Sequence, residues 1–137
     1  MAAQAGYSNT SLVKKLGIKP GFKIRFVDPP THYFDLLEGL PADIIVLEEP
    51  VPELDFIHYF TKQAAGLERD LPALRRQIVP NGTIWISWPK KASKVPTDVT
   101  EDVIRNLALP IGLVDVKVCA IDAVWSGLKL VIRVKDR

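Results

Sequence analysis

The 137 residues carry 47% hydrophobic and 25% charged side chains with a net charge of +2, a balance that excludes a disordered chain and suits one domain burying a single core. No apolar run approaches the roughly 20 residues of a membrane span, and no signal-type opening is present, so a cytosolic protein is expected. The lone Cys119 has no partner for an internal disulfide and fits a reducing, cytoplasmic setting. Charge is uneven: residues 1–27 hold five basic residues and no acid, whereas residues 28–60 hold eight acids and no Lys or Arg. Such alternation suits solvated surface and lacks the broadly basic footprint of a nucleic-acid binder.

Residues 1–6 are small and polar and read as a frayed tail of a single domain spanning 1–137. Leu12, Val13 and Leu16 sit at helical spacing within 8–16, and Gly17 closes that segment. Residues 22–27 form the first predicted strand, which Asp28-Pro29-Pro30 ends abruptly. Thr31 is placed to cap a helix over 32–39, stopped by Gly39 and Pro41. The unbroken run 43–47 predicts a second strand buried on both faces, and 54–60 a third. Only six residues join those two strands. A parallel crossover with its helix needs about 10–12, so Pro50 and Pro52 are expected to carry the link across the sheet as an extended segment.

Residues 61–78 repeat Leu67, Leu71, Leu74 and Ile78 at three- and four-residue intervals and predict a helix whose second part begins at Pro72. The turn Pro80-Asn81-Gly82 leads to a fourth strand over 83–88. Asp98 with Glu101 three residues on has the form of a capping box for a helix reaching about residue 107. Residues 113–122 and 128–135 then read as an antiparallel hairpin turning through 123–127. Strand and helix alternate until that hairpin. The expected class is therefore a three-layer, Rossmann-like α/β fold with a mainly parallel sheet.

Residues 71–86, with Leu74, the Pro80-Asn81-Gly82 turn and Ile84-Trp85-Ile86, resemble the helix, glycine turn and fifth strand of class I methyltransferases, and 113–134 is similar to their terminal hairpin. That resemblance implies the sheet order 2-1-3-4-6-5 with strand 5 or 6 antiparallel. In wording the chain looks closer to a bacterial family of uncharacterised domains, through Trp88-Pro89-Lys90-Lys91-Ala92-Ser93, Pro96-Thr97-Asp98 and Trp125-Ser126-Gly127-Leu128-Lys129. This second likeness implies no activity.

A nucleotide-type cofactor needs free amides just after the first strand. Pro29 and Pro30 remove two of them, which disfavours S-adenosylmethionine as cofactor. Glu48 or Glu49 stands where the resemblance implies a ribose-holding acid, with Asp28 beside it at the first strand's end. The other candidate is the basic stretch after strand four: Lys90, Lys91 and Lys94 supply charge, Trp88 a planar face, and a helix start at Thr97 and Asp98 free amides for a small anionic ligand. A solvated basic loop beside a core tryptophan is the plainer reading of the same residues.

Ser87 and Ser93 have no evident histidine and acid beside them. His32 and His58 match no metal-ligand spacing; His32 is expected beside Asp28, and His58 in a strand near the sheet edge. Three classes follow: a non-catalytic methyltransferase-like binding domain, an active methyltransferase using Asp28 with Glu48 or Glu49, and a homodimeric interaction protein. Trp125 would either anchor that homodimer through the hairpin or fold back on its own core.

Overall fold

The computed structural model describes residues 11–137; residues 1–10, with the frayed-tail expectation and the first helical positions, lie outside them. Helix α1 (Leu12–Leu16) is capped by the Ser11 side chain and closed by Gly17 at φ 81°, a left-handed position that glycine adopts without a Cβ clash. It precedes β1 (Lys23–Val27), β2 (Ile45–Val46), β3 (Leu54–Phe60), α2 (Ala64–Gln77), β4 (Ile78–Pro89), α3 (Glu101–Ala108) and the hairpin β5 (Leu113–Ala120) with β6 (Trp125–Ile132). The six strands lie in the order β2-β1-β3-β4-β6-β5. The first three pairings are parallel, and β6 runs antiparallel to both β4 and β5. This is the expected mixed, Rossmann-like sheet.

Alternation along the central strands gives each sheet face its own core. Ile57, Tyr59, Ile84, Ile86 and Trp88 meet Leu67, Leu71 and Leu74 of α2 and Ile104 of α3. On the opposite face Ile24, Phe56, Phe60, Trp85 and Trp125 meet Val13 and Leu16 of α1 together with Tyr33. Gly127 sits where a Cβ would stand 3.0 Å from side-chain atoms of Trp85 and Ile121, so a side chain there would have to push one of them aside.

Several local expectations are corrected. The helix over 32–39 is one 3₁₀ turn, Tyr33–Leu36, and His32 rather than Thr31 precedes it without a side-chain cap. The second strand is two residues long and forms a sheet edge, with Ile45 and Val46 about half exposed rather than buried on both faces. Helix α2 runs unbroken through Pro72. Pro80-Asn81-Gly82 lies inside β4, in the irregularity where pairing jumps from Leu54 with Ile78 to Phe56 with Thr83. Helix α3 begins at Glu101 with Thr100 as its cap, not at Thr97 or Asp98.

The short link between β2 and β3 crosses β1 without a helix, as its prolines led one to expect; Leu47 and Val51 tuck against the α2-side core. The first sheet edge is consequently thinly covered on that side. Among the described residues no helix is long and apolar enough to cross a membrane.

Candidate functional site

In an open α/β sheet the ligand crevice lies beyond the carboxyl ends of the parallel strands, where strand order reverses. Here that point falls between β1 and β3. A cleft of about 420 Å³ opens one strand over, at the carboxyl ends of β1 and β2, walled by Phe26, Phe34 and Val46 and bordered by Arg25, Asp28 and Glu48. Asp28 turns the chain out of β1 in a left-handed conformation at φ 53°. Asp28 and Glu48 therefore border one cleft; Glu49 is exposed and does not line it.

The cleft does not fit the amide-cradled cofactor of a dinucleotide-type fold. Pro29 and Pro30 carry no backbone N–H, and the single 3₁₀ turn that follows supplies no full helix N-terminus.

A smaller cavity of about 230 Å³ adjoins β1 on the α2 side and shares Arg25 and Val27 with the first. Its polar wall is a network: the Tyr59 hydroxyl donates to Asp70 Oδ2 at 2.6 Å, Arg69 Nε donates to Asp70 Oδ1 at 3.0 Å, and Arg25 Nη1 donates to Gln77 Oε1 at 2.9 Å. Arg69 foremost holds the Asp70 carboxyl below the usual carboxylate range, and burial foremost pushes the Tyr59 phenol above its ordinary value. Arg25 Nε is buried with no hydrogen-bond partner. Sequence reasoning gave this arginine no role, because on β1 it reads as one polar position in an alternating strand.

The 88–98 stretch divides into two parts. Lys91 and Lys94 are exposed and Lys90 half-buried, and none of the three forms an ion pair with a described residue. Trp88, by contrast, is 7% exposed within the α2-side core, so its ring faces no ligand. Thr97 Oγ1 donates to the Lys62 carbonyl at 2.8 Å, and Asp98 Oδ1 accepts from the Ala64 amide, the first of α2, at 2.7 Å. Asp98 caps α2 instead of opening α3.

The histidines also stand elsewhere than expected. His32 Nε2 lies 2.5 Å from Asp122 Oδ2, so its partner is Asp122 and not Asp28. Burial works against the Asp122 carboxylate, but the Trp125 and Val124 amides and His32 together hold its pKa below the ordinary range. His58 lies on central β3, wholly buried, 2.6 Å from the Tyr33 hydroxyl through Nδ1 and 2.7 Å from Ser87 Oγ through Nε2. Burial alone depresses its pKa to about 3, which keeps the ring neutral. Ser87 therefore does have a histidine beside it, supplied by the neighbouring strand, yet it is fully buried and out of a substrate's reach.

No protein-family model matches the chain, and no curated protein does so significantly; the likeness to an uncharacterised bacterial family thus has no family-level support. Solved structures do match in fold. One is an S-adenosylmethionine-dependent methyltransferase from Aquifex aeolicus, with TM-score 0.63 and 17% identity over 88% of this chain and 87% of that one. Magnesium protoporphyrin IX methyltransferase from Synechocystis, with bound S-adenosylhomocysteine, gives TM-score 0.60 and 9% identity over 89% of this chain and 78% of its own. The fibrillarin pre-rRNA processing protein of Methanococcus jannaschii gives 0.53 and 14% over 92% and 75%. At such identities the shared feature is the fold.

Proposed function

We propose that this methyltransferase-like domain is non-catalytic and works as a binding module for a small anionic ligand or an acidic partner. The observation that carries the loss of catalysis is the exit from β1: Asp28-Pro29-Pro30 runs into one 3₁₀ turn, where a bound cofactor would need a row of free amides. The binding surface is the exposed face of Lys90, Lys91 and Lys94. Three ammoniums that form no ion pair with a described residue make an electrostatic footprint for phosphate or carboxylate groups. Trp88, Thr97 and Asp98 act beneath that surface as core and caps, holding the loop against α2.

Calorimetry with S-adenosylmethionine and S-adenosylhomocysteine tests the first half. No binding at millimolar ligand is the expected result, and tight binding would overturn the non-catalytic reading. For the second half, tripolyphosphate should raise the melting temperature of the parent and not of the K90Q/K91Q/K94Q variant. Equal stabilisation of both would reject the lysine surface.

An active methyltransferase remains the second reading, favoured by the meeting of Asp28 and Glu48 at the cleft beyond β1 and β2. The same calorimetry separates the two, since the active enzyme must hold its methyl donor.

A further inference from the structure

A strand at a sheet edge offers its outward N–H and C=O groups to other chains. At the β2 edge the Ile45 and Leu47 amides donate to the Phe22 and Ile24 carbonyls at 2.9 and 2.8 Å. Alternation along the strand therefore turns the Val46 N–H and C=O outward, where no described strand follows. The side chains there are apolar and uncovered, with Phe34, Ile45 and Val46 at 53%, 49% and 51% exposure. Charge around them has one sign. Residues 28–60 hold eight acids and no Lys or Arg, and none of the eight forms an ion pair with a described residue. Asp43, Glu48 and Glu49, at the two ends of β2, are exposed, as is Asp28. Arg25 borders the 420 Å³ cleft but bonds Gln77 on the α2 side, so the charges that face an incoming chain there are Asp28 and Glu48. A second copy laid along this edge would set one acidic run against another, which opposes pairing. Residues 1–10, outside the described ones, carry no Lys or Arg. A basic strand from another protein is the complementary occupant.

We infer that β2 accepts an extended basic segment of a partner protein as an added strand. The segment's backbone pairs with Val46, and its apolar residues lie on Ile45 or Val46. One Lys or Arg side chain enters the cleft, with its alkyl stem on Phe34 and its charge at Asp28 and Glu48. This surface is separate from Lys90, Lys91 and Lys94, which draw groups of the opposite sign.

Three peptides titrated into the whole chain test it by calorimetry and by nuclear magnetic resonance of the backbone amides. The first is acetyl-Lys-Val-Lys-Val-Lys-Val-amide. The second replaces each lysine by glutamate, and the third keeps the lysines but is N-methylated at alternate residues, which blocks strand pairing. The first should bind saturably and shift the amides of residues 44–47, and each of the others should bind about tenfold more weakly. Asp28→Asn with Glu48→Gln, both at exposed positions, should weaken the first peptide by about tenfold with the circular dichroism spectrum unchanged. Absence of saturable binding, equal binding of the N-methylated peptide, shifts centred away from β2, or indifference to the double substitution would each overturn the proposal. Shifts at residues 44–47 that follow protein concentration without any peptide would assign the edge to a second copy and overturn it as well.

Discussion

His58 illustrates how a residue of catalytic type can serve a core. Its two ring nitrogens are spent on Tyr33 and Ser87, so the imidazole ties the 3₁₀ turn beyond β1 to β3 and β4. Aromatic rings close around it: Phe60 stacks at 4.1 Å between centroids and Tyr33 meets it edge-on at 5.1 Å. Removing one partner leaves a buried polar atom unsatisfied, so Ser87→Ala and Tyr33→Phe should each cost about 1–3 kcal/mol in urea unfolding. The pH dependence follows from the depressed pKa, about 3 in the fold against roughly 6.5 unfolded. Between those values the unfolded chain binds the extra proton, so stability falls as pH drops through that window and is fully retained above it. His58→Gln should flatten the decline between pH 6.5 and 4 relative to the parent; an unchanged slope would refute the assignment. None of this was legible along the chain, because Tyr33, His58 and Ser87 lie far apart in sequence and only strand pairing joins them.

Elements with strong internal patterns were legible, and those decided by their neighbours were not. The third strand and the existence of the terminal hairpin were readable because apolar runs bound them, but the hairpin turns at 121–124, and Trp125-Ser126-Gly127, expected in the turn, open β6 because they pair with β4. The run Ile44-Ile45-Val46-Leu47 misleads because among the described residues no strand pairs beyond it: a sequence of central-strand type forms the sheet edge, with Lys23 and Ile24 opposite it in register. The capping box misleads for a related reason. Asp98 has the spacing to serve α3, but the α2 amide at Ala64 lies 2.7 Å from its carboxylate, and Thr100 stands two residues later to cap α3 through Val103. A tertiary partner outcompeted the local one. Asp98→Ala should therefore lower stability by about 0.5–2 kcal/mol and speed amide exchange in the first turn of α2, leaving α3 unaffected. Exchange confined to α3 would show that the local box operates after all.

At the scale of the whole molecule the two sheet edges are where a second copy could pair. A homodimer anchored on Trp125 is the arrangement the hairpin sequence suggested, yet Trp125 is 8% exposed and packs edge-on to Phe60 at 5.3 Å. It belongs to the core of its own domain. Trp125→Ala should cost about 3–5 kcal/mol of stability while leaving the sedimentation of the folded protein unchanged. The outer strand β5 does expose Val116 and Val118, each at just over 50%, but its pairing with β6 shifts between Asp115 and Lys117, and such a bulge bends an edge away from pairing. Lys117 adds a charge on that edge and lies opposite Lys129. Like charges in register weaken the strand pair, and burial foremost, with Lys117 and Lys19, lowers the Lys129 pKa. Lys117 thus sacrifices some pairing stability, part of it recovered where its Nζ donates to the Lys15 carbonyl at 3.3 Å, and keeps a charge on the edge. Lys117→Val should reverse both effects: the melting temperature rises, and sedimentation at micromolar concentration shifts toward larger species. A variant that gains stability without any shift in sedimentation would show that the bulge alone guards this edge.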